Sequence, residues 1–415
     1  MKQFFKILGP GLLYAGAAVG VSHLVQSTRA GAMFNFEFVW ILIIANLLKY
    51  PFFDFGVRYA TATGNNLIDG YNKTGKWAVV LYAFITIMSM FIIQAAVTVV
   101  AVSLFAFIFK ISVDLVTLSG YMLFISVLFL ALGRYSFLDK LMKFIIVLLS
   151  LSTIIAVFSA LGIQKEVTPE SLMHFKWTGK ADIFFLIAFV GWMPAPIDVS
   201  IWSSVWNIEK YKELGYTPKL KDALTEFRFS YIFTAVLALG FLSLGALVMY
   251  GTGESFSASG VKFSGQLINM YTKSIGNWSY WIISIAAFTT MFSTVITVLD
   301  AYSRVLTPLA GYLVPGVFKN FNSKKSTWLW LGIMFAGTMV IIGFLVSSMR
   351  QMVDLATTLS FITTPAFAYI NYKAVTDKHF PAEAQPGKFL KILAWIGMGF
   401  FVVFSIIYIV WRYIV

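Results

Sequence analysis

The sequence predicts an all-α integral membrane protein, one transporter-sized domain over residues 1–415 with about eleven transmembrane helices. Three observations predict it. Of the 415 residues, 59% are hydrophobic and 12% charged, with a mean hydropathy of +0.82, whereas an ordinary soluble domain is roughly a quarter charged. Apolar stretches of about 20 residues, enough to cross a bilayer, recur along the whole chain. Two of them, the first and the sixth, are interrupted mid-span by residues that break helices. Such a composition excludes a disordered chain, a secreted disulfide scaffold and a soluble enzyme, and the absence of Cys removes thiolate zinc sites and redox couples.

The first span, 7–34, opens MKQFFKILGPG and carries no small-residue cleavage site, so it reads as a membrane helix and not a removable leader. Plain apolar spans follow at 37–58, 77–109, 112–133 and 142–163. The sixth lies at 182–205, and five more at 229–250, 277–303, 327–347, 351–372 and 390–411. The longest connections, near 207–228, 251–276 and 373–389, are too short for separate domains. Alternating the spans from a cytoplasmic N-terminus puts about 21 basic residues on that side, from Lys2, Lys6, Arg58 and Arg134 through Lys319 to Lys391, against about 8 opposite. The positive-inside rule reads this as N-terminus in, C-terminus out. The net charge of +13 then faces anionic lipid headgroups, so nucleic acid is not an expected partner. The expectation is a multi-pass protein of a prokaryotic plasma or inner membrane, monomeric, in contact with lipid and without a cofactor.

Both interruptions have a chemical cause. In the first span, Val19-Gly20-Val21-Ser22-His23 sets small and polar groups into the apolar run. In the sixth, FFLIAFVGWMPAPIDVSIWSS, Pro194 and Pro196 remove two backbone donors mid-membrane. Carbonyls freed in this way persist at membrane depth only where they line a cavity or are buried in protein. A packed kink would suffice for Pro194 alone; two prolines between Gly191 and Asp198 favour an unwound segment. Breaks in the first and sixth of eleven spans are the layout of a five-plus-five inverted repeat with a substrate site at the midplane.

At these residues the chain resembles the NRAMP family of divalent-metal transporters. The signature GPG…AGA…VW…LAN is matched by Gly9-Pro10-Gly11, Ala30-Gly31-Ala32, Val39-Trp40 and Ile44-Ala45-Asn46. The resemblance covers the first two helices well, the sixth moderately and the rest through topology. It implies eleven or twelve helices in a leucine-transporter-like fold and alternating access. Departures accompany it. The four positions of the family's metal-binding DPGN motif hold Gly20, Val21, Ser22 and His23, and the sixth-helix MPH is matched by Met193-Pro194-Ala195. No acid stands near Gln94 on the third helix. The tenth-helix glutamine is missing from LSFITTP, around which Thr357, Thr358, Ser360, Thr363 and Thr364 cluster.

The expected substrate-binding set is therefore Gly20, Val21, Ser22, His23, Val190, Met193, Ala195 and Asp198, with loose carbonyls near Gly20 and Val190. For a metal substrate the ligands are His23, Met193 and Asp198: imidazole and thioether suit a softer ion, and one carboxylate suffices for hydrated magnesium. Each residue has a structural alternative. Asp198 sits where a carboxylate caps a half-helix, although an intramembrane acid defaults to function. His23, the candidate proton carrier together with Asp198, could equally be a hydrogen-bonded packing residue, and Met193 plain packing. Arg29 is expected to snorkel or pair with an acid. Lys49 and Asp54, and Asp300 with Arg304, read as structural ion pairs, while Trp192 and Trp202 line or seal the cavity. The function expected is secondary active transport of a divalent cation of the manganese or magnesium class at a strongly altered site, with a small organic amine or zwitterion as the alternative. Neither repeated filter sequences nor charged rings point to a channel, and no catalytic constellation points to an enzyme.

Overall fold

The computed structural model describes residues 10–131, 135–318, 323–345 and 348–413. Gly9, Lys2, Lys6, Arg134 and Lys319, named above, lie outside the described residues, among which there are helices and connections but no strands. The first span is α1 (Pro10–Ala18), a bend at Val19 and Gly20, a π-helical turn (Ser22–Ser27) and α2 (Thr28–Phe34). The chain turns at Asn35, whose φ is 52°, and returns as α3 (Phe38–Thr63). Gly64 ends α3 in the left-handed region at φ 67°, which a side chain would strain. The short α4 (Leu67–Thr74) starts on a capping box between Asn66 and Asp69. Then come α5 (Lys76–Phe109), α6 (Leu115–Ala131) and α7 (Tyr135–Ala160).

The sixth span is two half-helices, α8 (Lys180–Trp192) and α9 (Asp198–Leu214). It is followed by α10 (Leu220–Val248), α11 (Gly260–Ile275), α12 (Tyr280–Leu313), α13 (Ser323–Leu345), α14 (Met349–Thr376) and α15 (Lys388–Tyr413). Seven described stretches are long and apolar enough to cross a membrane. One of them, Ser22–Thr63, holds two crossings because of the turn at Asn35. With the shorter apolar helices and the divided sixth span, the molecule has the expected set of about eleven crossings in a broken-helix fold.

Two connections differ from expectation. Most of 207–228 is helical, since α9 runs to Leu214 and α10 begins at Leu220. The stretch 251–276 contains α11, which buries Phe263, Leu267, Met270 and Tyr271 on one face. Hydropathy registers only the bilayer-deep part of a helix; the polar turns of α9 continue on i,i+3 pairs such as Lys210 with Glu213. Toward lipid the helices present Trp40, Phe84, Phe158 and Phe344, the last 85% exposed, an arrangement stable only where the surroundings are themselves apolar.

Small residues set how closely the broken spans approach their neighbours. A Cβ on Gly31 of α2 would lie 1.9 Å from the Leu242 carbonyl oxygen of α10, and one on Gly245 of α10 would lie 2.2 Å from the Thr28 oxygen of α2. Gly191 in α8 would meet the Thr357 carbonyl of α14 at 2.0 Å, and Gly56 in α3 the Ser200 carbonyl of α9 at 2.2 Å. These are backbone-to-backbone crossings of the kind that small residues permit in membranes.

Candidate functional site

At the first break the Gly20 N–H donates to the Ala18 carbonyl (3.0 Å), while the Gly20 carbonyl accepts from the N–H groups of His23 (3.1 Å) and Leu24 (2.9 Å). That oxygen, expected to be loose, is already engaged. A Cβ at Gly20 would meet Thr294 Oγ1 of α12 at 2.7 Å, so the break is pressed against the eighth span. The Ser22 hydroxyl donates to the Ala18 carbonyl at 2.6 Å, a side-chain substitute for ladder bonds disturbed by the bend. His23 is fully buried. Its Nε2 lies 2.9 Å from the Thr234 carbonyl and its Nδ1 2.8 Å from Ser22 Oγ. A carbonyl only accepts, so Nε2 carries the hydrogen. The ring lies edge-on to Phe241 of α10; Nε2 donates to the Thr234 carbonyl, and the single Ser22 hydroxyl hydrogen is shared between Nδ1 and the Ala18 carbonyl.

At the second break, residues 193–197 separate α8 from α9. Lys49, delivered by α3 and fully buried, closes the carbonyl end. Its Nζ donates to the oxygens of Val190 (2.7 Å), Gly191 (2.7 Å) and Ala195 (3.1 Å). The Val190 carbonyl is thus not loose. Nor does Lys49 pair with Asp54, as the sequence suggested: five residues along a helix turn the two side chains well apart, whereas four bring them together. Asp54 instead binds Arg58 at 2.7 Å, and Arg58 also donates to the Ala384 carbonyl at 3.0 Å. The other expected pair, Asp300 with Arg304, forms at 2.7 Å, joined by the Trp206 indole N–H at 3.2 Å. Asp198 opens α9, is 4% exposed, and lies within electrostatic reach of Lys49, Tyr71, Tyr82 and Tyr302.

Between the breaks is a cavity of about 30 Å³, room for one or two waters. The first break contributes Ala17, Ala18, Val21 and Ser22, and the sixth span Trp192, Pro196, Val199 and Trp202. Ile93 and Val97 of α5 and Thr294 and Val298 of α12 complete the wall. Of the predicted set, Val21 and Ser22 face this space and Gly20 adjoins it through Thr294; both tryptophans line it. His23, Val190, Met193, Ala195 and Asp198 are packed around it without lining it, and Met193 is fully buried. Among the described residues, no three His, Asp or Glu side chains are grouped to hold a metal ion.

Further contacts tie the tenth span to both breaks. Arg29 meets Asp354 at 2.7 and 3.4 Å and the Gln26 side-chain oxygen at 2.9 Å. Gln26 reaches Thr357 at 3.4 Å, and the Trp192 indole N–H donates to Ser360 at 2.8 Å. On the opposite end, the Glu226 carboxylate of α10 accepts from the Gly11 N–H at 2.9 and 3.2 Å, an acid at the start of α1 where the helix dipole favours one. Lys49, Thr294, Asp354 and Glu226 were not singled out as site residues from sequence. An ionisable residue deep in an apolar span was the available signal for Lys49.

Comparison with known proteins follows the same architecture. A family model described as natural resistance-associated macrophage protein-like (Nramp) matches residues 11–411. An uncharacterised protein of Pasteurella multocida (strain Pm70) is 36% identical over 412 residues, 98% of this chain and 92% of that protein. Among solved structures, a mutant of the Eremococcus coleocola manganese transporter superposes with a TM-score of 0.69 at 13% identity, covering 98% of this chain and 86% of that one. MhsT in complex with L-phenylalanine gives 0.60 at 14% identity, with 98% of each chain covered. At these identities the structural likenesses speak for the fold.

Proposed function

The chain belongs to the natural resistance-associated macrophage protein-like family, a family of transporters and not of enzymes, and we propose that it is a secondary active transporter that works by alternating access. The observation that carries the reading is the small buried cavity enclosed by two interrupted spans, since discontinuous helices around a midplane site are what alternating-access carriers rock about. Contacts made by α1 with α10 at one end, and by Arg29 with Asp354 at the other, are the bonds that such a motion has to break in turn.

The substrate we infer is a divalent cation of the manganese or magnesium class, taken at a strongly altered site. Family membership supports it. The cavity volume suits an ion with a water or two. Ser22 and Thr294 offer hydroxyl oxygens there, and Asp198 a carboxylate at the start of the second half-helix, with Met193 and His23 as ligands only after rearrangement. Proton coupling through His23 and Asp198 belongs to the same reading. A small organic solute, an amine or zwitterion, is the second reading. It is favoured by the apolar wall and by the Lys49 ammonium, which already answers the charge of Asp198. The same proposal extends to a prokaryotic plasma or inner membrane and a monomer with its N-terminus inside, as the distribution of basic residues suggests.

Purified protein in liposomes separates the two. With metal-sensitive dyes inside, Mn²⁺ or Mg²⁺ entry above that of empty liposomes is expected; radiolabelled amines or amino acids entering while all divalent ions fail would transfer the assignment to the second reading. Asp198→Asn is expected to reduce uptake at least ~10-fold, the loss of one charge-assisted contact of about 1.4 kcal/mol or more. Intact uptake with a lowered Tm would make Asp198 a cap only.

A further inference from the structure

We propose that the Lys49 ammonium is a tethered resident cation: it fills a carbonyl cradle at the break of the sixth span that would otherwise take a small free cation, an ammonium or alkali ion. Three oxygens converge on Nζ, from Val190 and Gly191 at the end of α8 and Ala195 in the break. None of these oxygens can donate, so all three hydrogens must come from nitrogen, and only the protonated amine has three. Two of the distances are 2.7 Å, as for charge-assisted bonds. The carbonyl end of a half-helix, together with unwound carbonyls, is the place where broken-helix carriers coordinate cations. Here the cation arrives on a side chain of another helix, sealed from water, with the Asp198 carboxylate within electrostatic reach. All three ammonium hydrogens are used, and the Val190 oxygen also accepts from the Met193 N–H at 3.3 Å, so both of its lone pairs are engaged. Resting on the transporter reading, one consequence follows: the substrate cannot use the Val190 carbonyl while Lys49 is seated, and must bind on the side of the cavity walled by Ser22 and Thr294.

The test removes the tether and offers the cation back. Full-length Lys49→Ala, purified in detergent, is titrated with sodium, potassium, ammonium and ethylammonium chlorides, with N-methylglucamine chloride as the ionic-strength control, while Tm is read. At least one small cation should raise the Tm of Lys49→Ala by ~2–4 °C or more over the control, with wild type shifting by under ~1 °C. Lys49→Met, which fills the stem's path without a charge, should show no cation-specific rise. A Lys49→Ala protein no more responsive than wild type overturns the proposal. So does failure to recover folded Lys49→Ala when it is prepared in any of these cations, whereas recovery only in their presence supports it. Tm does not depend on knowing the substrate, so a failed uptake assay bears on the proposed function and leaves this result intact.

Discussion

Asp54 and Arg58 form a pair in which the carboxylate is wholly buried. Removing one member of such a pair strands the other, at a typical cost of about 3–5 kcal/mol. Asp54→Ala should fall toward the lower end, because Arg58 keeps its bond to the Ala384 carbonyl. Unfolding in mixed detergent, with Arg58→Ala and the double variant closing the cycle, measures it; a double variant as unstable as the two singles summed would mean that the pair is uncoupled. Gly56→Ala is a second case. Its Cβ would come within 2.2 Å of the Ser200 carbonyl, and overpacking of this kind costs about 1–3 kcal/mol; a Tm equal to wild type would show that α3 and α9 give way freely. At this scale the sequence was partly readable. Asp300 and Arg304 are four apart on one helix and could be paired on paper. Lys49 could be noticed as a buried charge but was paired with the wrong group, Asp54, since its acceptors lie 141 to 146 residues away and are main-chain atoms that any residue type would supply.

Among the elements, both breaks were legible because their causes are local: glycine and polar residues in the first span, two prolines in the sixth. What the broken ends bond to was not legible, because it is decided by neighbours. The first break also stays largely helical, passing through a π-helical turn at Ser22–Ser27 instead of opening widely, and the ring of His23 is drawn to α10 by the Thr234 carbonyl. The contact between α2 and α14 is the clearest element-level device. Arg29 is 7% exposed at its side chain and Asp354 37%, so one end of this bond is wet. Asp354→Asn should therefore cost less stability than Asp54→Ala, because the amide oxygen and Gln26 still accept from Arg29, while favouring separation of α2 from α14. The expected readout is a several-fold gain in the labelling rate of Ser22→Cys, a cavity-lining position, with reagent applied from the side to which Arg29 is nearest. An unchanged rate would mean that the pair holds nothing shut.

For the molecule as a whole, the order of spans and their apolar extent were readable because bilayer thickness imposes a length on every crossing. The turns that α9 and α10 carry beyond the membrane were not, since no hydropathy signal marks a helix that continues into water. Orientation is a prediction at this scale. The chain has no Cys, so single cysteines can be added without removing any. Lys176→Cys, in the exposed connection before α8, should react with an impermeant maleimide on intact cells, and Lys219→Cys, before α10, only after lysis. The reverse pattern would invert the assignment made from basic residues.

The reciprocal glycine crossing of α2 and α10 has a mechanical corollary. With Gly31 and Gly245 each notched into the other's main chain, the second half of the first span is not a free lever. It can swing only by taking α10 along, so the hinge for that movement lies at the bend of Val19 and Gly20, and the fulcrum is a two-helix plate.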